Sequence, residues 1–225
     1  MMVKAVCFSV IFVFCSNFMS AQYGWTEAEV YLKNDKVLKG LASIPMMYGT
    51  VNLKKEQLKF KTDKKSKKSK YKPEDIDSII FTITYKERID GKRVEKTRIE
   101  TYIPIYLNKK QTKMGFSEIL VDGELKLVGR TIMVQSGGGW TPATGAPNSV
   151  PVYNPGYMGV HNQVMILRPG ITPEIFNHVS LTKSFKKRAM EYFSDCPALQ
   201  IKIESKEFKK VDLQAIVRFY NANCN

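Results

Sequence analysis

The chain has 225 residues, 35 of them Lys or Arg and 21 Asp or Glu, for a formal charge of +14. Hydrophobic residues at 44% and charged residues at 25% are ordinary for a folded domain and exclude a chain disordered over most of its length. Four cysteines are too few for a disulfide-framework miniprotein, and beyond the first 20 residues no apolar run is long enough for a membrane-spanning helix.

The N-terminal segment reads as an export signal. Lys4 gives a positive start, Ala5 to Cys15 is apolar except for Ser9, and Ser16-Asn17 leads to Met19-Ser20-Ala21. That order places cleavage after Ala21 and a mature chain at Gln22–Asn225, destined for the periplasm, the outer surface or the medium. Cys7 and Cys15 leave with the signal, so Cys196 and Cys224 remain. In an oxidising compartment a bridge between them closes a loop of about 29 residues, worth roughly 3.6 kcal/mol in the chain-entropy model. Two free thiols are the alternative.

Short β-rich runs between turn signals follow, from about residue 27 to 168. Glu29-Val30-Tyr31-Leu32, Asn34-Asp35 and Val37-Leu38 predict a hairpin. Val51 with Leu53, and Leu58 with Phe60, are pairs at alternating spacing. Between Lys54 and Lys72 there are ten lysines against Glu56 and Asp63, a local charge of +8. Lys64, Lys65, Lys67, Lys68 and Lys70 sit among serines in a stretch that reads as a solvated hairpin loop and candidate anion-binding site. It lacks interleaved aromatics, so base stacking is not expected. A loop whose charges keep strand edges from pairing is the competing reading.

Asp75 to Tyr85 carries the strongest strand pattern, Asp90-Gly91 predicts a type I′ turn, and a return strand runs from Arg93 to Leu107. A second Asp-Gly, Asp122-Gly123, joins Phe116–Val121 to Leu125–Val134. Two such turns predict an antiparallel meander or partial barrel rather than a parallel sheet. Residues 136–162, opening with Gly137-Gly138-Gly139, show neither helix nor strand period. This long loop carries Trp140, Tyr153, Tyr157 and His161, the candidate recognition residues, and it competes with a loosely packed insertion. A strand resumes at Gln163 to Leu167.

The C-terminal part, about 172–222, is helical. Thr172-Pro173-Glu174 reads as one short turn. Leu181, Phe185, Ala189 and Phe193 recur at four-residue spacing, with Lys183, Lys186, Lys187 and Arg188 on the other face. Asp195-Cys196-Pro197 separates this helix from one bearing Leu199 and Ile203. Asp212 precedes a third, with Leu213, Ile216, Val217 and Tyr220 on one stripe.

The block Tyr192-Phe193-Ser194-Asp195-Cys196-Pro197, followed by Ile216-Val217-Arg218-Phe219-Tyr220-Asn221 and Cys224, resembles the tail of exported Bacteroidetes proteins of unknown function. The strand-turn Tyr31 to Gly40, the Tyr71-Lys72-Pro73-Glu74-Asp75-Ile76 element and the Val121–Leu127 hairpin occur in the order that group shows. The resemblance implies a cell-envelope location and supplies no catalytic residue. The loop at 136–162 departs from it.

His161 and His178 are the two histidines, too few for a metal site, and no nucleophile elbow, zinc-protease helix or phosphate loop is present. No catalytic residue, metal or cofactor is therefore assigned. The sequence predicts an α+β envelope protein: an antiparallel sheet followed by a three-helix segment under one disulfide. Its function is read as a non-catalytic binding or interaction module of the cell envelope; the alternatives are polyanion binding, to lipopolysaccharide or nucleic acid, through the Lys54–Lys72 loop, and an enzyme with no recognisable motif. Without Lys4 the mature charge is +13, of which +8 lies between Lys54 and Lys72. The protein is thus a near-ordinary fold carrying one basic loop.

Overall fold

The computed structural model describes residues 24–44, 56–108, 110–136, 139–141, 152–154, 157–171, 173–176 and 184–224. The segment read as an export signal, with Cys7 and Cys15, lies outside them, as do Lys54 and His178.

Ten strands form one antiparallel sheet. They are β1 (Thr26–Leu32), β2 (Val37–Ser43), β3 (Leu58–Lys61), β4 (Ser69–Tyr71), β5 (Ile76–Ile89), β6 (Lys92–Tyr106), β7 (Met114–Val121), β8 (Lys126–Ser136), β11 (Tyr157–Leu167) and β12 (Glu174–Ile175). Strands β9 (Gly139–Thr141) and β10 (Val152–Asn154) pair separately. The main order is β12-β11-β8-β7-β6-β5-β1-β2-β3-β4. Consecutive strands account for all of it except two steps: β11 pairs with β8, with β9 and β10 between them in sequence, and β5 returns to the free side of β1.

The predicted turns hold for identifiable reasons. Asp90 and Gly91 both have positive φ, 49° and 79°, as a type I′ turn needs, and β5–β6 zips from Ile79↔Tyr102 to Ile89↔Lys92. The second Asp-Gly behaves differently. It opens a four-residue connection with a register shift between β7 and β8. A side chain from the last helix holds it: Leu125 N donates to Asn221 Oδ1 and Asn221 Nδ2 donates to Leu125 O, each at 2.9 Å. Gly123, at φ +149°, lies so close that a Cβ there would overlap the Asn221 amide.

The sheet is deeply curled but not closed. β3 and β7 are five strands apart, roughly 24 Å in a flat sheet at about 4.8 Å per strand. Yet Leu58 and Phe60 share one core with Val30, Ile79, Phe81, Tyr102 and Phe116. Phe116 N also donates to Glu56, just ahead of β3, at 3.1 Å. Charge pairs with charge across the same curl, because Arg130 on β8 meets Glu56 at 3.3 Å with both side chains at most 5% exposed.

Three helices follow: α1 (Phe185–Tyr192), α2 (Pro197–Glu204) and α3 (Leu213–Asn223). Ser184 caps α1 by accepting from Lys187 N, and Pro197 opens α2, where a missing N–H costs nothing. Ala189, Phe193, Leu199, Ile203, Leu213, Ile216, Val217 and Tyr220 are buried as their spacing predicts, forming a second core with Leu127 and Ile166 of the sheet. Asp212 stands at the N-cap of α3, but its carboxylate accepts from Lys209 N at 2.8 Å and holds the preceding 3-10 turn.

Three expectations are corrected. Residues 136–162 are not a single irregular loop: β8 runs to Ser136, β9 and β10 pair within it, and β11 begins at Tyr157. An eleven-pair ladder with β8, from Tyr157↔Ser136 to Leu167↔Lys126, supplies the order that local composition withholds. Glu174 belongs to a strand, β12, pairing with Ile166, rather than to a helical turn. Arg188 leaves the polar face of α1. It is buried over the Phe176 ring and donates to the carbonyls of Ile175 and Phe176 at 2.9 and 2.8 Å. It thereby satisfies backbone acceptors at the end of β12.

The C-terminal motif proves to be a clasp. Cys196 and Cys224 form a disulfide with Cα atoms 5.4 Å apart, tying the start of α2 to the end of α3. Beside it, Arg168 donates to Asp195 at 2.6 Å and sits between the rings of Tyr192 and Tyr220, about 5 Å from each centroid. Tyr220 donates to the same carboxylate at 2.6 Å. The Arg168 hydrogen bond holds Asp195 below the usual carboxylate range, and burial pushes the Tyr192 hydroxyl up to about 12.

Candidate functional site

The two cores do not meet seamlessly. Between them lies a cavity of about 280 Å³. Phe81, Tyr102 and Phe116 enter its wall from the first core, while Leu120 and Val164 enter from residues packed against the second. Six polar residues share the lining: Glu56, Glu118, Arg130, Thr131, Asn162 and Gln163. A mostly apolar concavity with a few polar groups is the usual form of a small-ligand site, and this one is at the small end of the range.

Strand parity places the carboxyl that matters. Phe116, Glu118 and Leu120 alternate along β7, so Glu118 shares a face with two large apolar side chains. The ladder sets it opposite Tyr102 on one side and Gly129 on the other, neither of them a cation. Burial raises the Glu118 pKa, the nearby charge of Glu100 raises it further, and Arg98 opposes both. Glu100 itself is well served, by Arg98 at 2.6 Å and by the Tyr102 hydroxyl at 3.2 Å.

Glu56 and Arg130 form the other charged part of the wall. Burial pushes Glu56 up and Arg130 down, each towards its neutral form, and their mutual attraction offsets only part of that. A Cβ at Gly115 would overlap the Glu56 carboxylate, so glycine is what lets the pair sit against β7. Thr131 donates to Asn162 Oδ1 at 2.9 Å on the next strand.

Among the described lining residues there is no Cys, His, Ser or Lys, and among the described residues no cluster of metal-ligating type occurs. The chemistry these residues offer is hydrogen bonding, charge pairing and apolar contact, and Glu118 is the carboxylate for which no hydrogen bond or ion pair is found among the described residues.

The residues singled out from sequence fall elsewhere. Lys64, Lys65, Lys67, Lys68 and Lys70 are exposed on the β3–β4 hairpin, where the Asp63 carboxylate organises the turn by accepting from Lys65 N and Ser66 N. Lys64 shares a shallow groove with Glu27 and Glu29, so part of this positive charge faces acidic neighbours. Trp140 and Tyr153 are register partners across β9–β10, and Tyr153 is 55% exposed. Tyr157 and His161 lie on β11, opposite Ser136 and Ile132. The side chains of Trp140, Tyr157 and His161 are outside the described part. Thus the four recognition candidates divide between two sheets.

Sequence reasoning missed every cavity residue. Two local signals pointed to it: Glu118 at core parity, and Gly129-Arg130 inside an apolar strand, where glycine often marks close approach. No protein-family model, curated protein or solved structure matches the chain.

Proposed function

We propose that this chain is an exported cell-envelope protein that works as a non-catalytic binding module, with the cavity between its two cores as the site. The N-terminal signal pattern and the Cys196–Cys224 disulfide support export. Among the described residues no helix is long and apolar enough to cross a membrane.

One observation carries the binding reading: a cavity of about 280 Å³, with Phe81, Tyr102, Phe116, Leu120 and Val164 in its wall, opens where residues of the two larger cores adjoin. An apolar cavity of about 150 Å³ takes benzene, so this volume suits a ligand of roughly ten heavy atoms. Titration calorimetry with n-octanol tests it. Saturable binding is expected in the purified protein, with loss in Val164→Phe and Thr131→Phe, which fill the space. Absence of binding, or binding unaffected by both variants in their folded form, refutes the reading.

A second reading, polyanion binding, is favoured by the exposure of the five lysines on one hairpin. Replacing all five by Ser is expected to reduce the salt needed for elution from heparin or lipopolysaccharide. Unchanged retention removes this reading and leaves the first untouched.

A further inference from the structure

Resting on the cavity as a ligand site, we infer that its ligand is a short amphiphile with a cationic amine head, seated with the ammonium group against Glu118 and the tail among Phe81, Phe116 and Leu120.

Of the carboxylates at the cavity and its margin, Glu56 already has Arg130 and the Phe116 N–H, and Glu100 already has Arg98 and the Tyr102 hydroxyl. Glu118 is half-buried, and among the described residues no cation or hydrogen-bond donor is bonded to it. Among the described lining residues there are two carboxylates and one guanidinium, a net negative set inside a protein whose formal charge is +14. An anionic head would add to that excess in a medium of low dielectric, and a neutral head would leave it uncompensated. A monocation balances it and turns the unserved carboxylate into a charge-assisted pair.

The proton behaviour agrees. Burial and Glu100 lift Glu118 towards its protonated form, with Arg98 opposing. An arriving ammonium group displaces that proton, so affinity falls on acidification. The groups facing Glu118 in this balance are Glu100 and Arg98 on β6 and the Glu56–Arg130 pair.

The test is calorimetry at pH 7.5 with three probes of one chain length: n-octylamine, n-octanol and n-octanoate. The amine is expected to bind about tenfold or more tightly than the alcohol, with the carboxylate weakest. The preference should shrink at pH 5 and fall to within about threefold in Glu118→Gln. Glu118→Asp, which keeps the charge on a shorter arm, should retain part of it and serves if the amide variant does not fold. Equal binding of amine and alcohol, or a preference that survives Glu118→Gln, overturns this inference while the cavity remains a binding site. Failure of all three probes to bind overturns the cavity reading itself.

Discussion

Replacing Arg130 by Met tests the wall of the cavity most severely. The methionine fills much of the arginine's volume but leaves Glu56 buried without its cation. Both side chains are at most 5% exposed, so the loss is that of a broken buried pair, about 3–5 kcal/mol. For a domain of this size that corresponds to a melting temperature lower by roughly 6–20 °C at pH 7. The sign of the pH dependence follows from the directions. Glu56 already has a raised pKa in the folded protein, because burial outweighs Arg130 and the Phe116 N–H. A raised carboxyl contributes stability that is fully present below its unfolded pKa and is lost as pH rises through the folded value. Without Arg130 the folded value climbs further, so the deficit of Arg130→Met deepens towards neutral pH and shrinks towards about pH 4. Glu56→Gln in the same chain removes the stranded charge and still accepts from Phe116 N, so the double variant should recover most of the loss. Urea unfolding followed by circular dichroism at pH 7 and pH 4.5, with the disulfide intact, measures both. A loss below about 1 kcal/mol at pH 7, or a double variant no better than the single one, refutes the buried-pair account.

Asn221→Ala removes two 2.9 Å hydrogen bonds between α3 and the β7–β8 turn and leaves Leu125 backbone groups unserved. A loss of about 2–3 kcal/mol in urea unfolding is expected; less than about 0.5 shows that the turn holds itself. Cys196→Ala with Cys224→Ala should cost about 2–4 kcal/mol, and the unmodified protein should show neither of these thiols to a thiol reagent under denaturing, non-reducing conditions. Titration of two thiols there contradicts the bridge. Glu118→Gln should raise the melting temperature at pH 7 and lose that advantage at about pH 4, because a raised carboxyl destabilises only where it must ionise. A variant less stable than its parent at pH 7 contradicts the environment assigned to Glu118.

The sequence carried the scaffold because its signals are local. Asp90-Gly91 needs two positive φ values, and the chain provides residues that tolerate them. The stripe Leu213, Ile216, Val217 and Tyr220 needs one helix face and one core. Cys196 and Cys224 are the two cysteines outside the segment read as an export signal. Local signals fail where a partner strand decides. β11 begins at Tyr157 because β8 pairs with it over eleven residues, although Pro, Gly and Tyr around it look irregular. Arg188 reads as surface charge until Ile175 and Phe176 present their carbonyls. The cavity is hidden for the same reason: it draws on residues from Ile44 to Val164, brought together by the curl of the sheet. Arg130 and Glu56 are 74 residues apart, and no spacing rule connects them.

Ligand binding in the space between the two cores leaves a direct spectroscopic signature. Two-dimensional ¹H–¹⁵N spectra of the protein titrated with n-octylamine test it most directly. Saturable shifts are expected, concentrated at the amides of Phe81, Tyr102, Phe116, Glu118, Leu120 and Val164, across β5, β6, β7 and β11. Shifts confined to the lysine hairpin or to β9–β10, or no shifts at all, would contradict it.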